Sequence, residues 1–382
     1  MDVSVPHPWD TDRLGWLALA WFEGFGARTL RKLRTRCGDG VRAFSANRGT
    51  LISIGVSEFL ADKFVEWRNR IEPEAFARRC DAEGIRFVLA GDEDFPAALA
   101  QSSDPPSVLF MRGGPLRLSR PIAVVGTRSM TPYGARATDR ICRDLAVAGC
   151  EIVSGLALGI DAKAHASCLD VGGKTVAVLA GGCDVGAIYP RGNAVLAKRI
   201  LDAGGTIMTE MPPGTESLKH LFLLRNRIIA SLSLATIVVE AAESSGSLIT
   251  AKIAIEENRD VFAVPGPITS EQSAGVNGLL KMGAIPCTGA DDILRAFDLH
   301  AVSPDLRDVD ISEAECGVLD VVAQPLHVDD IVRDLKHPAA EVTALLMTLV
   351  LKGLVEQQEG NVYGRTKAGI RASKLRDRTS SN

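Results

Sequence analysis

Gly126-Thr127-Arg128 breaks an apolar run, Ile122 to Val125, and Tyr133-Gly134 and a helical pattern follow. A strand that stops at glycine and turns into a helix is where an α/β sheet presents backbone N–H groups to a phosphate. The second and third glycines of the dinucleotide fingerprint are missing, and an arginine stands in the turn. Other turns after apolar runs are also rich in small polar residues: Ser154-Gly155, Gly181-Gly182, and Ser245-Gly246-Ser247 with Thr250 at a helix start. Glycine and serine at helix N-termini leave N–H groups and hydroxyls for an anion. Each turn alone is equally a tight turn with an N-cap. Several on one rim with Arg128 point to an anionic ligand.

The segment Ser217 to Ser233 adds Lys219, Arg225 and Arg227, with Phe222 between them. An arginine fork holds phosphate bidentately, and an exposed ring gives a base a stacking surface. The competing reading makes Phe222 core and lets the arginines cap helices or pair with acids such as Glu240. Upstream, Arg112, Arg117, Arg120, Arg128, Arg136, Arg140 and Arg143 face one acid, Asp139, which is a candidate basic patch or a solvated face.

Enzyme signatures fail on inspection. Gly173-Lys174-Thr175 is followed by a strand rather than a helix, and Cys168 takes the glycine position of a phosphate-binding loop. Asp161 and His165 stand at i,i+4, a spacing for metal but equally for a helix-start Asp above a packed histidine. No metal or cofactor is expected. No G-x-S-x-G elbow stands out.

Composition sets the background. Apolar residues make up 46% and charged residues 24% of 382, as in ordinary globular chains. The net charge of −4 means that nucleic-acid binding would need a local patch. No run of about 18 apolar residues suggests a membrane span, and the N-terminus does not read as a signal peptide. Eight scattered cysteines without a C-x-x-C pair fit a reducing cytosol, so a cytoplasmic location is expected.

Three parts position these residues. Residues 1–75 read as short helices containing two similar devices, Gly24 to Leu33 and Ser53 to Phe64, each a glycine turn before apolar residues at helical spacing. Leu30 and Leu33, or Phe59, Leu60 and Phe64, supply that spacing. The pattern is that of a helix-hairpin-helix, whose turn can meet phosphate, or of two plain helical hairpins. Residues 84–298 alternate eight short apolar runs with helical segments, the pattern of a doubly wound, Rossmann-like parallel sheet. One segment places Ala137, Ile141, Leu145 and Ala148 on a stripe ending at Gly149. After a polar linker, residues 311–364 read as three helices and a hairpin, a winged-helix unit. Its third helix offers Leu345, Leu346, Met347, Leu349 and Val350 where a groove reader needs polar groups, so it reads as a packing or partner module. Residues 365–382 form a basic tail expected to be disordered.

Six segments in order, VVGTRSMTPYG, SGLALGIDAKAH, YPRGNAVLA, RNRIIASLS, VVEAAESSGSLITAKIA and VFAVPGPITSEQSAGVNGLLKMGA, resemble the DNA-processing protein A (DprA/Smf) family over residues 84–295. The resemblance implies a non-enzymatic single-stranded DNA binder. It would protect incoming DNA in natural transformation, load a RecA-type recombinase and act as a homodimer. It also implies that Gly126-Thr127-Arg128 and Ser245-Gly246-Ser247 are phosphate loops, and that Lys219 and Phe222 form a K-x-x-F pair on phosphate and base. The family's Phe-Pro is Phe222-Leu223 here, and Met211 replaces a tyrosine. An alternative on the same sheet type, a phosphoribohydrolase-like nucleotide enzyme, needs a P-G-G-x-G-T-x-x-E loop, and PGPITS is the nearest run.

Overall fold

The structure is a computed structural model that describes residues 9–299, 311–358 and 360–366. Most of the expected linker and of the basic tail lies outside the described residues. The chain divides into two units at residue 300.

The first unit begins with α1 (Thr11–Trp21), α2 (Ala27–Cys37), α3 (Gly40–Phe44), α4 (Arg48–Ser53), α5 (Glu58–Arg68) and α6 (Pro73–Ala82). Side chains start several of them: Asp10, Asn47 and Ser57 accept first-turn N–H groups of α1, α4 and α5. Leu30, Leu33 and Phe64 are buried as their spacing demands, whereas Phe59 is 78% exposed. With Ser57 as cap, Ala61 and Phe64 share the inward stripe at i,i+3, and Phe59 falls outside it.

The sheet region runs β1 (Arg86–Leu89), α7 (Ala97–Ala100), β2 (Val108–Gly113), β3 (Pro121–Gly126), α8 (Pro132–Val147), β4 (Glu151–Ser154), α9 (Ile160–Leu169), β5 (Thr175–Val178), α10 (Ala194–Asp202) and β6 (Thr206–Thr209). It continues with α11 (Lys219–Leu232), β7 (Ala235–Val239), α12 (Gly246–Glu256), β8 (Asp260–Ala263), α13 (Glu271–Lys281), β9 (Ile285–Pro286) and α14 (Ala290–Ala296). All eight apolar runs become strands, and the two-residue β9 joins them. The order is β1-β2-β6-β5-β4-β3-β7-β8-β9. Strands from β6 to β9 are parallel, while β2 runs antiparallel to both β1 and β6. The sheet is therefore mixed at one edge, because the β1–β2 link carries only the short α7 and returns the chain antiparallel.

Alternate residues of β3 serve opposite faces. Ile122 and Val124 pack with Ile141 and Leu145 of α8 and Ile160 of α9. Ala123 and Val125 pack with Ile228 and Ile229 of α11 and Ala251 of α12. The predicted α8 stripe is buried at Ile141, Leu145 and Ala148. Trp16, Phe22, Phe25 and Phe64 of the N-terminal helices share one apolar cluster with Phe87, Phe110 and Ile207 of the sheet, so both halves of this unit rest on a continuous core. Chain order reverses at β3, whose neighbours are β4 and β7. Ligands of open α/β sheets bind outside the carboxyl ends of strands at such a reversal.

The second unit holds α15 (Glu313–Val321), β10 (Leu326–His327), α16 (Val328–Leu335), α17 (Ala339–Leu351), β11 (Val355–Gln358) and β12 (Val362–Arg365). Its strands pair as β10-β12-β11, giving a winged helix with one strand beyond the predicted hairpin. Leu346 and Leu349 of α17 are buried with Val318, Ile331 and Tyr363, so the apolar third helix is mainly this unit's core.

Candidate functional site

A hollow of about 560 Å³ lies at the reversal, walled by the β3 turn, the start of α9, α11 and the start of α12. The β3 turn is held at both ends by one residue. Thr127 N–H donates to the Glu240 carbonyl at 2.8 Å. The Glu240 carboxylate accepts from Thr131 N–H at 2.8 Å and from the Thr131 hydroxyl. Glu240 is 3% exposed and sits at φ +53°, a left-handed turn at the end of β7 that brings both its groups to the loop. Gly126 must be glycine, since a Cβ there would lie 2.0 Å from the Val239 carbonyl oxygen. Thr127 is buried and accepts from Ser129 N–H, so of this motif Gly126 and Arg128 line the hollow.

Arg128 is exposed, and its guanidinium carbon stands 5.0 Å from the Phe222 ring centroid. Phe222 is half-buried and meets Tyr189 edge-on at 6.0 Å. The three form a cation–π stack at the mouth, of about 0.5–1 kcal/mol for an exposed pair. Lys219 opens α11 and is exposed on the same wall, one turn before Phe222. On the opposite wall Ser245 caps α12, its hydroxyl 2.8 Å from that of Ser247, and Gly246 lies between them.

The floor is Arg225. It is 6% exposed, and its Nε and Nη1 have no hydrogen-bond partner among the described residues. The guanidinium lies flat on Gly155, where a Cβ would come within 1.3 Å of Nη1. Asp161, at the start of α9, accepts from Gly155 N–H at 3.1 Å and Ala157 N–H at 3.4 Å. Burial lowers the Arg225 pKa to about 10, with Arg128 adding repulsion and Asp161 opposing it, so the group stays charged at neutral pH. Burial raises the Asp161 carboxyl against the pull of Arg225. His165 is fully buried with Nδ1 2.6 Å from the Thr175 hydroxyl. Burial, then Arg225, pushes its pKa down to about 3, so it is a neutral packed histidine. Asp161 thus orders a turn and His165 packs below it.

Besides buried Thr127 and Gly155, which lies against the Arg225 guanidinium, two expected site residues lie elsewhere. Ser154 is fully buried and donates to the Val124 carbonyl at 2.6 Å, beneath the floor. Arg227 pairs with Glu210 at 2.5 Å and donates to the Asp104 carbonyl at 2.6 Å on the other flank of α11. Two residues along a helix turn a side chain by about 200°, so Arg225 and Arg227 cannot share a wall. The acid partners of Arg227 are Glu210 and, at 3.4 Å, Asp104, not Glu240. The arginine-rich segment is not one patch either. Arg112 donates to the Cys183 carbonyl, Arg120 to the Ala148 carbonyl, and Arg143 pairs with Asp139 and Asp170, while Arg128, Arg136 and Arg140 are exposed.

Tyr189, Asn226 and Thr250 line the hollow as well. Asn226 was not singled out from the sequence, although its i+7 spacing from Lys219 could have marked it; Tyr189 and Glu240 carry no periodic signal. Cations on two walls and the floor, a helix N-terminus and two serine hydroxyls together make an anion seat.

The family description DNA recombination-mediator protein A matches residues 86–298, and the DprA winged helix domain matches residues 319–361. Protein Smf of Escherichia coli K12 is 39% identical over 286 residues, covering 72% of this chain and 76% of that protein. Protein Smf of Synechocystis is 32% identical over 93% of this chain and 99% of its own length. The X-ray structure of DNA processing protein A from Streptococcus pneumoniae superposes with a TM-score of 0.63 at 32% identity, over 74% of this chain and 97% of that one. DNA processing protein A from Helicobacter pylori, whose structure is described for its single-stranded DNA binding mode, matches with a TM-score of 0.50 at 29% identity, over 56% of this chain and 97% of that one. With the matched sheet region, the matched winged helix and near full-length similarity to a Smf protein, this chain belongs to the DNA recombination-mediator protein A (DprA/Smf) family.

Proposed function

We propose that this chain binds single-stranded DNA in the hollow at the β3–β7 reversal and acts as a mediator that delivers the strand to a RecA-type recombinase. The observation that carries the binding step is Arg225: a buried, charged guanidinium with idle N–H groups on the floor, below Arg128 at the mouth. An anion between them satisfies the idle donors and relieves the repulsion of two like charges. Lys219, Ser245, Gly246 and Ser247 supply further phosphate contacts, and Phe222 with Tyr189 gives a base an apolar face. Rings are few, so phosphate contacts dominate and binding is salt-sensitive and sequence-tolerant.

Protection of incoming DNA, recombinase delivery, a homodimer and a cytoplasmic location extend the reading by family likeness. The Helicobacter pylori relative supports the ligand class. The reading is of a binder rather than an enzyme. The nucleotide-enzyme alternative is disfavoured because PGPITS carries an almost fully exposed Ile268 (94%) and contributes nothing to the hollow's wall.

The test is fluorescence anisotropy of a labelled single strand in a salt series, with duplex as competitor. Wild type binds the strand and resists duplex. Arg128→Ala weakens binding and lowers the salt slope by about 0.7, one phosphate contact. Equal affinity and slope in both proteins refutes the site.

A further inference from the structure

Helix α11 walls a second hollow, of about 540 Å³, on its other flank. Leu223 lines the first hollow and Leu224 the second. These consecutive residues are 49% and 47% exposed, so the two hollows adjoin across a ridge one residue wide, surfaced with leucine.

The far wall is the N-terminus of the eleven-residue α2. Its N-cap, Gly26, brings no side-chain acceptor to the first-turn N–H groups, and a Cβ there would meet nothing within 4 Å. The first turn holds no acid, and its Arg28 is exposed. Asp104 also lines this hollow, but its charge is met by Arg31 at 2.5 Å and Arg227 at 3.4 Å, so the uncapped positive helix end beside exposed Arg28 seats an anion.

Glu210 on the near wall is an independent observation. Its side chain is 9% exposed, one oxygen meets Arg227 at 2.5 Å, and Oε1 has no hydrogen-bond partner among the described residues. An idle carboxylate oxygen needs a donor, which phosphate lacks and the edge of a nucleobase has. An anion seat facing a buried acceptor fits a nucleotide rather than a simple anion.

We propose that the single strand leaves the first hollow over Leu223 and Leu224 and seats a further nucleotide in the second. Its phosphate meets the start of α2 and Arg28, and its base edge faces Glu210. This rests on the reading of the first hollow as a strand-binding site.

The test uses the full chain and labelled oligothymidines of about 6 and about 15 nucleotides, within the range one binding module covers. Arg28→Ala and Arg28→Glu are compared with wild type and Arg128→Ala, and thermal midpoints confirm folding. Arg28→Ala binds the short strand like wild type, loses about three- to tenfold on the long one, and lowers its salt slope by about 0.7. Arg28→Glu loses more on the long strand only. If Arg28→Glu matches wild type on both lengths, or loses equally on both, the second seat is wrong. In those cases a loss by Arg128→Ala keeps the first hollow standing. If wild type binds neither strand, both readings fall.

Discussion

Gly155→Ala is the most direct probe of the floor. The added methyl would lie 1.3 Å from Arg225 Nη1, 2.2 Å from Cζ and 2.4 Å from Nη2. Non-bonded heavy atoms settle near 3.5 Å, so the guanidinium must move by about 2 Å. Arg225 lines the hollow, which is the open space beside its guanidinium and the way out. The move weakens attraction to Asp161 and brings the charge towards Arg128. Overpacking of this kind costs about 1–3 kcal/mol. Urea unfolding followed by circular dichroism reads that loss, and anisotropy reads a weaker strand complex, because the displaced group fills the seat. A double-mutant cycle isolates the contact. In an Arg225→Met background the clash is gone, and Gly155→Ala costs about 0.5 kcal/mol or less, an ordinary small change. If the cost of Gly155→Ala is the same with and without Arg225, the guanidinium does not rest on Gly155 and the account of the floor is wrong.

Two further outcomes follow from the same neighbourhood. Glu240→Ala leaves both Thr131 donors without their carboxylate; with bonds to a charged group worth about 1.5–3 kcal/mol each, the Arg128 turn loosens and strand affinity drops at least about tenfold. Glu240→Gln, which keeps one acceptor oxygen, restores part of that affinity, whereas equal loss in both variants would point to charge alone. His165 is held neutral in the fold, its pKa lowered from 6.5 to about 3, so its contribution to stability is complete above pH 6.5 and is lost as pH falls towards 3. The decline from this group is about 1.4 kcal/mol per pH unit. His165→Gln lacks this component, so its stability relative to wild type improves between pH 6.5 and 4; an unchanged difference would mean the histidine takes up a proton in the fold.

The sequence determined what local pattern controls. Short β-rich runs between amphipathic helices made the α/β layers, because strand and helix periods are written in adjacent residues. Gly126, Arg128 and the Ser245–Ser247 cap were legible because strand ends and helix starts need those residue types. Lys219 and Phe222 were legible as a cation and a ring in one segment, and the family resemblance paired them. Only the tertiary structure decided which arginine of Arg-Asn-Arg faces the hollow. Both have the same local chemistry, and the choice rests on Gly155 making room for Arg225 and Glu210 drawing Arg227 to the other flank. Tertiary contact likewise made Glu240 the clamp of a turn more than a hundred residues earlier, and joined the N-terminal helices to the sheet through one core. Such pairings join residues far apart in the chain, and no local periodicity encodes them.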